Sequence, residues 1–539
     1  PEEVTAENAD GLQAQLMAID EALAALTEEQ TAKLDMTRYE NICAVLTTFV
    51  AAQDGEHTHP ICGSEECTHA NTHTSVEWKA LSCADDGTLK IGGEDWSKSS
   101  SDYYELPEGS YYLADELPMD ASILTRGTVN LCLNGKSITG NGEFSVIIVV
   151  YGTFNLCDCN SSTGNGKITH SMNGSTRYTG RGVSVSDGSA FNMYGGMISD
   201  NEATVGGGGV YLNSKCTFNM YGGMISNNKS TTSGGGVYAY NGTFNMHDGT
   251  ITGNTTKYSG GGVYARESLQ ISGGYITNNT AQTSNGGGVY YAGGNDGETS
   301  SMSNVKITGN TAKYSGGGVY MVNDYTFSMS DVTITGNTAN NGGGMYMDGK
   351  EIEMTGEMKI TGNSTNDVYL PKGIVIKVKE GLSSSSSIGV STSIIENDYT
   401  VIAEGSDHTL TEEDRNVFTS ADGYAKMDMG NSVALVNGIP HWHPICGDKD
   451  CSEHGDNVYW MAVSTETDLR AVKAGTADAP KYYYLLNDVE LTSTWTPKEN
   501  VVLCLNGHSI TMKASTDCIK VTGNFTLCDC DVNGNGKVK

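Results

Sequence analysis

Hydrophobic and polar residues alternate along most of this chain, in short runs separated by glycine, asparagine and serine. In the stretch TFNM, Phe244 and Met246 share one face and Asn245 takes the other, while Ile251 points to one side between two threonines. Alternation with a period of two is the pattern of a β-strand with one buried face. The pattern therefore predicts many short strands joined by turns.

Three columns of residues recur in step at intervals of 25 to 31 residues. The first column is an apolar residue after a glycine run, the second is an isoleucine and the third is an asparagine. They comprise Val183, Val210, Val237, Val263, Val289, Val319 and Met345; Ile198, Ile225, Ile251, Ile276, Ile307, Ile334 and Ile360; and Asn201, Asn228, Asn254, Asn279, Asn310, Asn337 and Asn363. Columns that advance together indicate stacked copies of one unit.

A unit of this size cannot bury its apolar face alone, but stacked neighbours share one continuous core. The sequence therefore predicts a mainly β protein, a right-handed parallel β-helix (solenoid) with one coil per repeat. An inward asparagine at each turn would hydrogen-bond to the coils above and below it.

The first 53 residues follow a different pattern. Apolar positions at helical spacing, with Thr27 and Gln30 as a capping box, predict an N-terminal helical segment. These positions are Leu12, Leu16, Ile19, Leu23 and Leu26.

A second, longer duplication overlies the repeat. HTHPICGSEECTH, NLCLNGKSITG and FNLCDC return near the end as HWHPICGDKDCSEH, LCLNGHSITM and FTLCDC. We expect small Cys/His-rich linker modules and a chain that is a piece of a longer, multi-module protein. The predicted divisions are a helical spacer over 1–53, a Cys/His-rich module over 54–83, a β-helix with closing coils over 84–438, a second Cys/His-rich module over 439–470 and the start of a second β-helix over 471–539.

The repeat GGGVY…FNM…ITGN resembles the right-handed β-helix repeats of bacterial surface proteins, including polymorphic outer-membrane adhesins. The resemblance covers residues 125–363, and NDVYLPKGIVIKVKEGL, which follows, looks like the closing coils of such proteins. The helical start is similar to segments that precede β-helices in surface proteins of gut-type Gram-positive bacteria. This pectate-lyase-like fold class includes adhesins and polysaccharide lyases, so the resemblance implies a fold and leaves the function open.

Composition narrows the classes of partner. The formal net charge is −32, and 68 glycines stand against 9 prolines. Such acidity excludes nucleic acid as a partner, because phosphate contacts need Lys and Arg. We find no apolar run long enough to cross a bilayer. We expect an extracellular protein at a bacterial cell surface.

The duplicated H-x-H-P-I-C-G-x3-C element has the spacing of a metal site. Four nitrogen or sulfur ligands suit structural zinc, and the alternative is a short disulfide, Cys62–Cys67 or Cys446–Cys451, beside exposed histidines. The candidate ligands are His57, His59, Cys62, Cys67 and His69, and in the second copy His441, His443, Cys446, Cys451 and His454. Calcium binding by Asp296 and Glu298 is a weaker expectation.

The cysteines of LCLNG and LCDC suggest different chemistry. Alignment places Cys132 over Cys157 on the outer face of adjacent coils, at about the spacing of a disulfide. We predict the disulfides Cys132–Cys157 and Cys504–Cys528. Reduced thiols are the alternative, and Cys159 and Cys530 could compete as partners.

A tyrosine follows the apolar residue of each glycine run, and alternation directs it outward. Such a stripe could bind sugar faces or could only stiffen the sheet by stacking. It comprises Tyr211, Tyr238, Tyr264, Tyr290, Tyr320 and Tyr346.

The carboxylates of the coils fall in different turns, with Arg181 and Arg266 as the only arginines between residues 180 and 363. We therefore expect no catalytic residues, and a non-catalytic adhesin or rod-like spacer. Its expected partners are glycans, mucin-like glycoproteins or proteins of host or neighbouring cells. A polysaccharide lyase or glycoside hydrolase and a self-associating structural filament subunit are the alternatives.

Overall fold

The structure is a computed structural model. It describes residues 58–59, 61, 76–141, 144–160, 166–170, 180–293, 300–322, 326–349, 351–392, 399–422, 424–436, 441–443, 458–477, 479–513, 517–530 and 535–539. The predicted helical segment over 1–53 lies outside these residues, as do Asp296 and Glu298. Seven of the predicted metal ligands also lie outside them: His57, Cys62, Cys67, His69, Cys446, Cys451 and His454. Two more, His441 and His443, have only their backbone described.

The predicted fold class is confirmed: the chain forms a parallel β-solenoid of stacked coils, with about 14 turns. It divides into two compact units. The first comprises Pro1–Ser199 with Met220–Met224, and the second comprises Asp200–Asn219 with Ile225–Lys539.

The first unit begins with antiparallel pairing and continues with parallel coils. Lys79–Cys83 pairs antiparallel with Leu89–Ile91 and parallel with Tyr111–Leu113. The two longest strands, Ser122–Cys132 and Val146–Cys157, pair in parallel over ten residues. The strands are Thr58–His59, Val76–Glu77, Lys79–Cys83, Leu89–Ile91, Glu94–Asp95, Tyr103–Leu106, Gly109–Leu113, Leu117–Met119, Ser122–Cys132, Ser137–Gly140, Val146–Cys157, Lys167–His170, Arg181–Val185, Ala190–Met193 and Met197–Ser199.

The coils from residue 200 onward place their strands in four columns. The first is Val210–Leu212, Val237–Ala239, Val263–Ala265, Val289–Tyr291, Val319–Met321, Met345–Met347 and Val368–Leu370. The second is Thr217–Met220, Thr243–Met246, Leu269–Ile271, Ser300–Ser303, Thr326–Ser330, Glu351–Gly356, Val375–Leu382 and Tyr399–Gly405. The third is Met224–Ser226, Thr250–Thr252, Tyr275–Thr277, Lys306–Thr308, Thr333–Thr335, Lys359–Ile360, Ser387–Thr392 and Phe418–Ser420, and the fourth is Glu202–Ala203, Lys229–Ser230, Thr255–Thr256, Thr280–Ala281 and Thr311–Ala312.

The predicted columns pair residue for residue. Val263 lies opposite Val289 on the next coil, and Ile251 lies opposite Ile276. These side chains have no exposed surface. Because side chains alternate between the two faces of a strand, each apolar residue of one coil packs on its equivalent in the next, which gives a continuous core.

The predicted asparagine column forms a buried ladder of hydrogen bonds. Asn254 Oδ1 accepts from the backbone N (2.9 Å) and the Nδ2 (3.0 Å) of Asn228. Its own Nδ2 donates to Asn279 Oδ1 at 3.0 Å and to the Ile225 carbonyl at 2.8 Å. Each amide thus satisfies backbone groups that the buried turn would leave without partners.

The glycine runs are required by the close approach of the coils. Gly260 has a φ of +72°, which side-chain-bearing residues rarely adopt. At Gly261 an added Cβ would overlap with the Gly287 carbonyl oxygen of the next coil. Backbone hydrogen bonds join the runs, as from Gly261 N to Gly286 O at 3.0 Å.

The C-terminal end of the coil stack is antiparallel. Tyr399–Gly405 pairs with Ser432–Val436, which also pairs with Ala425–Asp428. Helix α1, Glu412–Asn416, follows a capping box in which Thr411 and Asp414 satisfy each other's backbone N–H groups. A hairpin at this position covers the edge of the parallel sheet.

The segment after residue 440 repeats the first coils of the chain. His441–His443, Val458–Val463, Lys481–Leu485, Val501–Cys504 and Phe525–Cys528 form one sheet, and Val489–Leu491, Ser509–Met512 and Lys537–Val538 form another. Helix α2 spans Glu466–Ala471. The core of this segment includes Leu485, Leu503 and Ile510, which have no exposed surface.

Candidate metal centre

Two cysteines lie side by side on adjacent coils of the first unit. Cys157 pairs in register with Cys132, at the last position of each long strand. Leu131 and Leu156, one residue earlier, face the core, so alternation directs the two thiols to the opposite face. That face is covered rather than open, because Trp78 packs on the cysteines and leaves them 0 % and 1 % exposed.

A third cysteine reaches the same place through a tight turn. Asp158 Oδ1 accepts from Gly135 N at 2.8 Å. This hydrogen bond holds the residue before Cys159 against the preceding coil, close to Cys132. The Cys159 thiol then lies 3.3 Å from Cys132 Sγ and donates to Asn134 Oδ1 at 3.6 Å. The C-x-C motif thereby brings both of its thiols next to Cys132.

A histidine completes the group. The strand Thr58–His59 pairs antiparallel with Val76–Glu77, which places His59 beside Trp78. The Trp78 Nε1–H donates to the His59 carbonyl at 3.2 Å, and the two rings lie 4.4 Å apart between centroids. The ligand atoms of His59, Cys132 and Cys157 all lie within 4.8 Å of one another.

Two thiols of this group, those of Cys132 and Cys159, have a raised pKa. Burial raises the pKa of the Cys132 thiol well above its ordinary value, and the hydrogen bond with Cys157 adds to the effect. The hydrogen bond with Cys132 is the largest cause of the raised pKa of Cys159, while a hydrogen bond with His59 acts in the opposite direction. Both thiols therefore keep their protons at neutral pH unless a cation displaces them.

The second copy repeats this arrangement. Cys528 pairs in register with Cys504, and Cys530 Sγ donates to Asn506 Oδ1 at 3.5 Å. Trp460 packs on Cys504 as Trp78 does on Cys132. The hydrogen bond with Cys528 is the main cause that raises the pKa of Cys504 to about 12.

The backbone entering the second copy also matches. His443 pairs with Val458, as His59 pairs with Val76. Asp529 Oδ1 accepts from Gly507 N at 2.7 Å, the counterpart of the bond from Gly135 to Asp158.

The predicted disulfides Cys132–Cys157 and Cys504–Cys528 are not present: no disulfide joins the nine cysteines that the structure describes. The predicted register is present, but register alone does not close the bond. The Cys132 thiol instead donates a hydrogen bond to Cys159 Sγ at 3.3 Å, a separation well beyond an S–S bond of about 2.05 Å. The thiols remain neighbours without a covalent link.

Among the predicted zinc ligands of the H-x-H-P-I-C-G element, His59 is the one whose side chain the structure describes. The structure brings this histidine to the coil cysteines, a combination that was not predicted from the sequence. The packing of Trp78 on these cysteines was not predicted either. The signal was available, because the EW and YW pairs before Lys79 and Met461 are duplicated together with the histidines and the CDC motif.

The predicted tyrosine stripe is a continuous stack that also includes Tyr369. Successive ring centroids lie 5.0–5.4 Å apart with interplanar angles of 6–17°. Each interior ring therefore has both faces against its neighbours and offers solvent its edge and hydroxyl group. Burial is the main cause that raises the pKa of Tyr264 to about 12. Ligand binding by the stripe remains a prediction.

An open groove of about 540 Å³ runs across successive coils of the second unit. Its floor includes Ala281, Ala312 and Ala339, and hydroxyl, amide and amino groups lie along it. Tyr314, the residue after the groove-lining Lys313, is 55 % exposed, so this ring, unlike the stacked stripe, offers an open face.

Comparison with protein-family models, with curated proteins and with solved structures gives no match for this chain. The fold therefore defines the class, a β-solenoid repeat protein. Neither of the two described helices has the length and apolar character needed to cross a membrane.

Proposed function

We propose that this chain is a non-catalytic secreted or cell-surface protein of bacteria that acts as an adhesin or rod-like spacer. The observation that supports the proposal most is the residue-for-residue stacking of the coils. From Val210 to Met345 every apolar position of the first column lies opposite its equivalent. Packing between neighbouring coils stabilises a stack that extends along one axis, and it presents the same surface on each coil.

Several carboxylates of the coils accept hydrogen bonds from the backbone and so stabilise the fold. Asp367 accepts from the backbone and side chain of Asn363, and Asp414 accepts from Leu382 N and from Thr411. Asp158 holds the turn before Cys159. Groups committed to backbone hydrogen bonds are poor candidates for general acid or base work, which needs a proton shared with a substrate.

The groove offers the most suitable surface for a glycan. Thr280, Thr311 and Thr338 repeat a hydroxyl group along its length, while Gln282 and Asn340 supply amides. Sugars are recognised by such convergent polar groups together with an open aromatic face. The groove provides the polar groups, and Tyr314, which follows the lining residue Lys313 in the chain, is an exposed aromatic residue. We therefore prefer this region to the stacked tyrosines as the glycan site.

A glycan and mucin binding screen tests the proposal. We expect the full chain to bind one glycan class, and we expect Tyr314→Ala to weaken that binding at least tenfold. Tyr275→Ala is the matched control, because Tyr275 is 47 % exposed on the third column, away from the groove lining. The double variant Tyr264→Ala plus Tyr290→Ala tests the tyrosine stripe. Loss of glycan binding in this variant would identify the stripe, rather than the groove, as the binding site.

Two results would favour the other candidate functions. Release of unsaturated or shortened products from acidic polysaccharides or mucin would identify a lyase or a hydrolase. Assembly of the purified chain into filaments, followed by sedimentation and electron microscopy, would identify a structural subunit.

A further inference from the structure

The cluster of His59, Cys132, Cys157 and Cys159 has no role in the proposed adhesive surface, yet it is the densest group of metal-ligating side chains in the described part of the first unit. Three of its donors, those of His59, Cys132 and Cys157, lie within 4.8 Å of one another. The fourth, Cys159 Sγ, lies 3.3 Å from Cys132 Sγ. We propose that these four residues bind one structural zinc ion.

The donor set and its spacing fit zinc. Three thiolates and one imidazole nitrogen are a common structural set, with Zn–S bonds of about 2.3 Å and Zn–N bonds of about 2.0 Å. A tetrahedron with such bonds places its sulfur atoms roughly 3.8 Å apart. The donors of His59, Cys132 and Cys157 already lie within 4.8 Å of one another. Cys159 Sγ lies 3.3 Å from Cys132 Sγ but outside this set of three, so a rotation of the Cys159 side chain is needed for it to reach the same ion.

The surroundings fix the ligands in the way that metal sites require. Trp78 holds the His59 backbone by a hydrogen bond and lies against its ring. Asp158 and Asn134 hold the turn that presents Cys159. Partners of this kind orient ligands and strengthen metal binding. With Cys159 as the fourth ligand no position stays open, so the zinc is structural rather than catalytic.

Zinc binding is balanced by proton release. Each Cys S–H bond breaks as a Zn–S bond forms, the three protons pass to solvent, and no oxidant or reductant is involved. The ion would then join three chain segments, which carry His59, Cys132, and Cys157 with Cys159. In particular it would fasten the strand that carries His59 to the coils that carry Cys132 and Cys157.

The duplication is an independent reason for the proposal. Cys504, Cys528 and Cys530 repeat the three cysteines, Trp460 repeats the shielding ring, and His443 has the backbone register of His59. Cysteines kept only as small buried residues would not need their histidine and their tryptophan kept with them. The second copy therefore predicts a second zinc ion.

The test is the zinc content of the full chain, purified with reductant and measured by native mass spectrometry. We expect two zinc ions per wild-type chain, one in Cys132→Ser, and none in Cys132→Ser combined with Cys504→Ser. Cys216→Ser is the control, because Cys216 is buried in the second unit outside both clusters, and it should keep both ions.

The same experiment distinguishes the other ligand set suggested by the sequence. The variant Cys62→Ser plus Cys67→Ser should keep both ions if the coil cysteines are the ligands. Loss of one ion in that variant together with retention in Cys132→Ser would overturn the proposal. So would a wild-type chain that binds no zinc, or a disulfide from Cys132 to Cys157 or Cys159 found by peptide mapping.

Cobalt substitution in the wild-type chain tests the ligands without any variant that could misfold. In the wild-type chain we expect cobalt to give the visible bands of tetrahedral coordination and the near-ultraviolet bands of thiolate ligands. An octahedral spectrum without thiolate bands would contradict the proposed ligands, whatever the variants do.

Discussion

The side-chain amide of Asn363 donates to Asp367 Oδ1 at 3.0 Å, and the backbone N–H of Asn363 donates to the same oxygen at 2.8 Å. Asn363 Oδ1 in turn accepts from Asn337 Nδ2 at 2.9 Å. The hydrogen bonds between amides of the ladder all run in one direction along the stack, so the last amide in this series needs an acceptor that no further asparagine provides. A carboxylate at this end gives a charge-assisted hydrogen bond.

Replacement of Asp367 tests this termination. We expect Asp367→Ala to lower the free energy of unfolding by about 2 kcal/mol, because a hydrogen bond to a charged group is lost. Asp367→Asn keeps an acceptor and should cost less than about 1 kcal/mol. Urea unfolding measures both values. Glu380→Gln removes an exposed charge as control, and an equal cost for all three variants would refute the special role of Asp367.

Removal of an interior asparagine of the ladder should lower the free energy of unfolding more than removal of Asp367 does. Asn279 is fully buried, and Asn279→Ala leaves donors and acceptors on both neighbouring coils without partners. We expect a loss of about 3 kcal/mol in the free energy of unfolding. Asn241→Ala is the matched control, because Asn241 is exposed and should change stability by less than about 0.5 kcal/mol. Equal stability of the two variants would show that the ladder contributes nothing.

The middle glycine of a run should not accept a side chain. Gly261→Ala places a methyl group against the Gly287 carbonyl, so the coils must separate. We expect a cost of about 2 kcal/mol or more, since backbone cannot move aside as a flexible side chain can. Thermal unfolding measures the loss. Gly195→Ala, whose added Cβ has its nearest neighbour at 3.3 Å, should cost clearly less. A Gly261→Ala protein as stable as the wild type would contradict the stacking distance.

The hydrogen bond from Trp78 should strengthen zinc binding. Trp78→Phe keeps an aromatic ring over the cysteines but removes the N–H group that holds His59. We expect zinc affinity to fall by about 10-fold or more, measured by competition with a chromogenic chelator. Trp96→Phe is the control: Trp96 Nε1 donates to the Glu105 carbonyl at 2.9 Å, outside the cluster. An unchanged affinity in Trp78→Phe would remove this contact from the site.

Acid should weaken the closing coils through Asp414. Burial alone would raise the pKa of this carboxyl, but hydrogen bonds from His408, Leu382 N and Thr411 outweigh it and lower the pKa to about 2. A carboxyl with a lowered pKa contributes stability in full above its ordinary pKa near 4, and that contribution is lost as the pH falls toward 2.

We therefore expect the wild type to lose more stability than Asp414→Asn between pH 4 and pH 2. Urea unfolding at several pH values gives the two slopes, and Glu380→Gln should follow the wild type. Parallel slopes for Asp414→Asn and the wild type would contradict the lowered pKa.

The repeat made much of the fold predictable. Val263, Ile251 and Asn254 each occupy the position that the spacing predicted, because a two-residue period assigns each side chain to one face. The short helices α1 and α2 were not predicted, because five or six residues are too few to display a helical period. The stacking of Tyr264 on Tyr290 was left open, because alternation gives the direction of a ring and not the orientation of its plane.

The sequence by itself determined the stacked coils, because identical residues at a fixed interval can bury their apolar faces only against one another. It also determined which cysteines lie in register. Only the tertiary structure decided that His59 meets Cys132 and Cys157, since these contacts join segments that share no period. The return of the chain after a turn, and the ring of Trp78 above it, depend on packing in three dimensions, which spacing along the chain does not encode.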